Sequence, residues 1–306
     1  MRFSLLAVAV LMVSLCLVSV DLAQEKGKTQ NPAPPPLPPG VKALRDLEYV
    51  KGGHERQRLD LYLPDKITGP LPVVVWIHGG GWRGGSKEGC RAMPFAVEGY
   101  AVASINYRLS QHATFPAQIE DCKAAIRWLR AHAKEYDLDP KHIGVWGASA
   151  GGHLVALLGT SGGVKELEGN LGNPDQSSRV QAVCDWFGPA DFTRIAGKSA
   201  DADSAIGRLL GGPIQDNKEK AKLASPVTFI SKENPPFLIM HGDMDKTVPL
   251  SQSEALAEAL KKAGVDATLV VLKGAGHGGN QFTSPQTRQS IREFFDKHLK
   301  KTAKNS

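Results

Sequence analysis

The chain has 306 residues, of which 42% are hydrophobic and 22% are charged, and its formal net charge is +6. This is the composition of a globular protein with enough apolar material for a core, and the length suits one large domain or two small ones. The basic residues form no long run apart from Lys297–Lys301, and no nucleic-acid-binding motif is present. We therefore expect no nucleic-acid partner.

The first residues have the layout of a secretory signal peptide. Arg2 precedes an apolar run from Phe3 to Val20, and small residues lie near Ala23. This pattern predicts a signal peptide over residues 1–23, although Asp21 fits the cleavage site poorly. A retained membrane anchor is the alternative, because about 18 apolar residues are just enough to span a bilayer. We expect export to the periplasm or the medium, and no stable membrane insertion after signal cleavage.

A proline-rich stretch follows the predicted signal. Residues 24–40, QEKGKTQNPAPPPLPPG, contain six prolines and a single large apolar residue, Leu37, which is too little for a core. They predict a stiff, solvated linker, so the folded domain should run from residue 41 to residue 306.

The four cysteines do not indicate a metal site. Cys16 lies in the predicted signal, where lipid modification is a minor alternative. Cys90, Cys122 and Cys184 lack the spacing of zinc ligands. We expect free, buried thiols, no metal and no cofactor.

Strand and helix patterns alternate from residue 56 onward. An unbroken apolar run such as LPVVVWIHG (71–79) is typical of a strand that is covered on both faces. The stretch 115–137 instead has apolar residues at helical spacing. Strands are predicted at 56–64, 71–79, 100–109, 142–149, 180–189, 235–242 and 267–274, and helices at 115–137, directly after 149, at 251–264 and at 285–300. This order predicts an α/β fold with a mostly parallel sheet, whose ligands bind at the carboxyl ends of the strands.

The first motif in such a position is HGGGW (78–82), which follows a predicted buried strand. Successive glycines leave backbone N–H groups free to face a ligand, as an oxyanion hole requires. The expected donors are the N–H groups of Gly80, Gly81 and Ala150. His78 is expected to fix the loop rather than to act as a base.

The second motif is GASAG (147–151), in which Ser149 lies between a predicted strand and a predicted helix. A serine in such a tight elbow is a candidate nucleophile. The alternative is a helix-capping serine in a glycine-rich turn. The glycine loop at 78–82 favours the nucleophile, because the two motifs occur together in serine hydrolases.

Two later strand ends supply the partners that a serine nucleophile needs. Asp243 and Asp245 follow the strand at 235–242, and His277 follows the last strand. The chain order serine, acid, histidine is the order of the catalytic triad on this kind of sheet. We predict Asp245 as the acid and His277 as the base. Asp243 is the nearby alternative for the acid and is rather expected to shape the turn. His241 is expected to support the acid loop.

With these motifs the chain resembles the α/β-hydrolase superfamily, and within it the bacterial esterases that carry HGGG and GxSxG motifs. These include feruloyl-esterase-like, acetyl-xylan-esterase-like and hormone-sensitive-lipase-like enzymes. The matching stretches are LDLYLP (59–64), HGGGW (78–82), GASAGGHL (147–154), HGDMDKTVP (241–249) and GAGHG (274–278). The resemblance implies an α/β-hydrolase fold with a mostly parallel eight-stranded sheet, helices on both faces, and Asp245 as the triad acid. Ala148 departs from the aspartate that is frequent in the hormone-sensitive-lipase-like branch, which favours the feruloyl- and acetyl-esterase-like branch.

The resulting hypothesis is a serine esterase that uses Ser149, Asp245 and His277 and forms an acyl-enzyme. The expected substrate is a small-molecule or polysaccharide-linked ester with a short-chain or aromatic acyl group. Trp82, Trp186 and Phe187 are candidates for its pocket, with core packing as the alternative. The insertion at 190–234 is a possible lid, too polar for a lipase lid. An amidase, an arylformamidase or an exopeptidase-like amide hydrolase is the main alternative function, and a non-catalytic binding module is less favoured.

Overall fold

The computed structural model describes residues 36–300. The predicted signal peptide (1–23) and most of the predicted linker lie outside the described residues.

The described residues contain eight strands in one sheet, in the spatial order β1-β2-β4-β3-β5-β6-β7-β8. β2 pairs antiparallel with β1 and β4, and all other neighbours are parallel. The strands are β1 (Val41–Glu48), β2 (Arg58–Pro64), β3 (Leu71–Ile77), β4 (Ala101–Ile105), β5 (Leu138–Ala148), β6 (Ala182–Trp186), β7 (Phe237–Gly242) and β8 (Ala267–Leu272). This is the sheet of the α/β-hydrolase fold, so the predicted fold class is confirmed.

β1 is the strand that the sequence pattern does not predict. It lies at the edge of the sheet, and its register against β2 shifts between Leu44 and Leu47. The shift breaks the period-two alternation by which an edge strand is recognised, because it moves later side chains to the opposite face.

The helices of the described range cover both faces of the sheet. They are α1 (Ala117–Ala131), α2 (Ala150–Thr160), α3 (Lys165–Glu168), α4 (Ala205–Leu210), α5 (Lys218–Leu223), α6 (Ser251–Lys262) and α7 (Pro285–Leu299). Short 3₁₀ helices occur at Lys87–Gly89, Met93–Glu98, Phe192–Arg194, Gly197–Ala200, Ile214–Asp216, Pro226–Phe229 and Asn280–Thr283. Between residues 36 and 300, no helix has the length and apolarity that a bilayer crossing requires.

Two apolar layers sandwich the sheet. α1, α2 and α6 pack on one face, and α7 packs on the other with the 3₁₀ helix Met93–Glu98. On the α7 face, Trp76, Trp146 and Trp186 come from three adjacent strands and meet edge to face, with ring centroids 5.0 to 6.3 Å apart. Cys90, Cys122 and Cys184 lie in the core as buried free thiols.

The insertion at 190–234 packs against the α2 side of the domain. Leu209 and Leu210 of α4 are fully buried in the same apolar core as α1 and α2. His153 of α2 donates a hydrogen bond from Nε2 to the carbonyl oxygen of Ala224 at 2.7 Å, and its ring stacks on Phe192. Burial lowers the pKa of His153 to about 4, so the ring is neutral at pH 7. The insertion is therefore held by polar as well as apolar contacts.

Candidate active site

Ser149 occupies a sharp turn between β5 and α2, near the middle of the sheet. Its backbone has φ 56° and ψ −118°, a combination that non-glycine residues rarely adopt. The strained turn is held by a hydrogen bond from the Ser149 N–H to the carbonyl oxygen of Trp186 at 2.8 Å. A methyl group on Gly151 would lie 2.7 Å from the carbonyl oxygen of His78, so only glycine fits there. The turn presents the serine hydroxyl at the carboxyl end of the sheet.

The structure brings Ser149, His277 and Asp245 into one hydrogen-bonded line. The Ser149 hydroxyl donates to Nε2 of His277 at 2.8 Å. Nδ1–H of His277 donates to Oδ2 of Asp245 at 2.7 Å. The other carboxylate oxygen of Asp245 accepts the N–H groups of Thr247 and Val248 at 2.7 and 2.9 Å. With Nδ1 protonated and Nε2 facing the hydroxyl, His277 is placed to accept the serine proton.

His241 contacts Asp245 from the buried side of the site. Its side chain is fully buried, and Nε2–H faces both the carbonyl oxygen of Val248 at 2.9 Å and Oδ2 of Asp245 at 3.3 Å. Nδ1 accepts the hydroxyl of Ser253 at 2.7 Å. Burial lowers the pKa of His241, so it supports Asp245 as a neutral donor. Asp243 has a different place, where it accepts the N–H of Gly274 at 2.7 Å and shapes the turn.

The glycine loop after β3 lies directly against Ser149. Gly80 and Gly81 have φ values of 109° and 60°, which favour glycine. A methyl group on Gly79 would come within 3.3 Å of Cβ of Ser149. Within residues 36–300, the N–H groups of Gly80, Gly81 and Ala150 make no backbone hydrogen bond. These three predicted donors are thus available to an oxyanion formed at Ser149.

Three side chains hold this loop in place. Nδ1–H of His78 donates to the carbonyl oxygen of Gly79 at 2.7 Å, and Nε2 faces the guanidinium of Arg56 at 3.2 Å. Tyr107 stacks on the His78 ring and donates its hydroxyl to the His78 carbonyl oxygen at 3.0 Å. Burial lowers the pKa of His78 to about 4, so it is a neutral structural histidine. The sequence analysis missed Arg56 and Tyr107, because no motif marks side chains that reach the loop from segments flanking other strands.

A cavity of about 330 Å³ opens at Ser149, between the glycine loop, the insertion and the start of α6. Trp82 lines it, and so do Ile195 and Ile206 of the insertion. Gln252 of α6 lines it as well and was not predicted. Its side-chain oxygen accepts two N–H groups at the beginning of the insertion.

The other two aromatic residues predicted for the pocket lie elsewhere. Trp186 does not line this cavity, because the pleat of β6 directs Ala182, Cys184 and Trp186 to the α7 face. Phe187 does not line it either; its ring packs 4.6 Å from the ring of His277. Trp186 is therefore not part of the pocket at Ser149, although a pocket role was expected of it, and Phe187 packs against His277 instead.

The sheet order, the nucleophile turn at β5 and the hydrogen-bonded line to His277 and Asp245 define an α/β-hydrolase. The chain belongs to the BD-FAE family, whose family model matches residues 59–260.

Similar proteins are named esterases. Esterase LipC of Mycobacterium tuberculosis is 33% identical over 260 residues, which cover 81% of this chain and 64% of LipC. A truncated carbohydrate esterase from gut microbiota superposes with a TM-score of 0.79 at 35% identity and covers 85% of this chain and 97% of its own.

Another solved structure is the thermophilic esterase Est2 of the planctomycete Thermogutta terrifontis. It has a TM-score of 0.69 at 30% identity, and the alignment covers 88% of this chain and 96% of Est2. Est2 is also known with bound butyrate, with bound propionate and phosphorylated by paraoxon. This chain spans only 64%, 51% and 53% of the length of LipC and two further mycobacterial relatives.

Proposed function

We propose that this protein is a serine carboxylic-ester hydrolase in which Ser149 is the nucleophile, His277 the general base and acid, and Asp245 the residue that orients the histidine. The observation that carries the proposal is the unbroken hydrogen-bonded line from the Ser149 hydroxyl through His277 to the buried Asp245 carboxylate. The esterase names of the relatives support the reaction class.

The reaction follows from this geometry in two halves. The Ser149 oxygen attacks the ester carbonyl carbon while Nε2 of His277 takes the hydroxyl proton. The negative charge that develops on the carbonyl oxygen is stabilised by the N–H groups of Gly80, Gly81 and Ala150. His277 then gives the proton to the departing alcohol, which leaves the acyl group on Ser149. Water, deprotonated by His277, attacks that acyl-enzyme and releases the acid.

The cavity at Ser149 favours small acyl groups. Its volume of about 330 Å³ lies at the small end of the range for ligand pockets. Ile195, Ile206 and Val248 give it an apolar lining, and Trp82 offers an aromatic wall. Est2 is known with bound propionate and butyrate, and another structural neighbour is a carbohydrate esterase. We therefore propose short-chain acyl esters, including esters carried on carbohydrates, and small aromatic acyl esters as substrates. Because the N-terminal sequence has the pattern of a signal peptide, we also propose that the protein is exported.

The test is hydrolysis of 4-nitrophenyl esters from acetate to decanoate, with methyl ferulate and acetylated xylan beside them. Wild type should prefer the acetate and butyrate esters to the decanoate, and Ser149→Ala should lower kcat about a millionfold. Ser290→Ala, on the exposed side of α7, is the matched control and should keep wild-type activity. Paraoxon should inactivate wild type and label Ser149, as identified by peptide mass spectrometry. Undiminished esterase activity in Ser149→Ala would refute the proposal, and turnover of anilides alone would favour an amidase.

A further inference from the structure

A second cleft borders the oxyanion loop next to the 330 Å³ cavity. Gly80 lines this cleft, whereas its neighbour Gly81 lines the cavity that contains Ser149. α4 also contributes to both, since Ala205 and Ile206 line the cavity and Arg208 lines the cleft, so the two are adjacent. The cleft has a volume of about 720 Å³, and its lining comprises Gly80, Arg83, Gly84, Ser110, Gln111 and Arg208. A substrate whose carbonyl oxygen is held at Gly80 and Gly81 has this cleft immediately beside it.

The charged residues that line the cleft are both arginines, so the cleft is positively charged. Arg83 is exposed and forms no ion pair with any residue between 36 and 300. Arg208 is 55% exposed, and its nearest acid is the fully exposed Asp203 at 3.8 Å. Such an exposed ion pair contributes little to stability and leaves the Arg208 guanidinium available to bind another anion. Among the described residues, no aspartate or glutamate lines either this cleft or the cavity at Ser149.

The walls of the cleft are fixed to the oxyanion loop. The N–H of Ser110 donates to the carbonyl oxygen of Trp82 at 2.8 Å, and Nε2 of Gln111 donates to the carbonyl oxygen of Arg83 at 3.2 Å. The Ser110 hydroxyl is a further donor beside the two guanidinium groups. These contacts hold the backbone of the loop that carries Arg83. α4, which carries Arg208, lies against the same loop, because a methyl group on Gly81 would be 3.3 Å from Cβ of Ala205.

We propose that this cleft, with Arg83 and Arg208, binds a carboxylate on the alcohol part of the ester. The inference rests on the proposed esterase function and names its substrate class: acyl esters of an acidic alcohol, such as a uronate-bearing saccharide. Guanidinium groups match carboxylates through paired hydrogen bonds, and a cleft of single-sign charge concentrates anionic substrates. The small apolar cavity receives the acyl group, and the larger open cleft receives the alcohol.

Two isosteric substrates test the proposal on the full-length protein. 3-Acetoxybenzoate and 3-acetoxybenzamide carry the same acyl group and differ in one charge on the alcohol part. The measured quantity is kcat/KM for 3-acetoxybenzoate divided by kcat/KM for 3-acetoxybenzamide. This ratio should fall about tenfold in Arg83→Gln/Arg208→Gln, chiefly through a raised KM for the anionic ester. High salt should lower the wild-type ratio in the same direction.

The matched control is Arg91→Gln/Arg288→Gln, which removes the same net charge elsewhere. Arg91 is exposed, and Arg288 is 49% exposed with Glu98 at 3.9 Å, so the pair resembles Arg83 and Arg208 in environment. This control should keep the wild-type ratio. An equal fall in both double variants, or no fall in either, would overturn the proposal.

Further arms separate this proposal from the esterase proposal. The single variants are measured as well, so that poor folding of the double variant does not decide the result.

Mono-4-nitrophenyl succinate carries its charge on the acyl side, and the arginine variants should show no comparable loss of kcat/KM for it. A similar loss would overturn the assignment of the cleft to the alcohol. If wild type hydrolyses neither acetate ester, the esterase proposal itself fails. If it hydrolyses both and the ratio is insensitive to Arg83 and Arg208, only the cleft proposal fails.

Discussion

Gln252→Leu tests whether one buried side chain of α6 holds the beginning of the insertion over the cavity. The Gln252 side-chain oxygen accepts the N–H groups of Ala190 and Asp191 at 2.9 and 2.8 Å, and its amide donates to the Asp191 carbonyl oxygen at 3.2 Å. Ala190 and Gln252 are buried. A buried donor that loses its partner costs about 1–3 kcal/mol, so the two N–H groups together predict a loss of about 2–6 kcal/mol in the free energy of unfolding.

Urea unfolding at pH 7.5 measures this loss, and kcat/KM for 4-nitrophenyl acetate reports on the cavity. Gln252→Glu keeps an oxygen acceptor for both N–H groups but replaces the amide donor by a second acceptor that faces the Asp191 carbonyl oxygen, so it should recover only part of the loss seen in Gln252→Leu. Gln289→Leu, at an exposed position of α7, should stay within about 0.5 kcal/mol of wild type. If Gln252→Leu were as stable as Gln289→Leu, the reasoning that these hydrogen bonds fix the insertion would be refuted.

Two further predictions concern the triad acid and the response to acid pH. Asp245→Asn should lower kcat about 10⁴-fold, because the amide no longer holds the correct His277 tautomer, whereas Asp243→Asn should stay within about tenfold of wild type. Equal losses in 4-nitrophenyl acetate hydrolysis would contradict the assignment of Asp245. Burial lowers the pKa of both His78 and His153 to about 4, from the ordinary 6.5. Between those pH values the unfolded chain binds protons that the folded chain does not. The free energy of unfolding therefore decreases as the pH is lowered from about 6.5 to 4, by up to about 3 kcal/mol for each histidine. Urea unfolding at a series of pH values from 7.5 to 4 measures how the free energy of unfolding depends on pH. His153→Gln should make this dependence shallower, and an unchanged dependence would contradict the burial argument.

The sequence by itself determined the fold class and the residues that meet at the candidate site. Ser149, Asp245 and His277 each follow a predicted strand, and the carboxyl ends of parallel strands meet at one edge of a sheet. Their convergence could therefore be predicted from chain order and local patterns. The same holds for Gly80 and Gly81, because a run of glycines after a buried strand is itself a local signal.

Tertiary structure alone decided which side chains surround that site. A strand that is buried on both faces has no alternation in its sequence, so nothing local shows that Trp186 faces α7 and not the cavity. Arg56 and Gln252 reach the glycine loop and the insertion from distant parts of the chain. The cleft with Arg83 and Arg208 joins residues 125 positions apart and exists only after α4 has packed beside the oxyanion loop. Local patterns determine where a strand ends, but contacts between distant segments depend on packing of the whole domain.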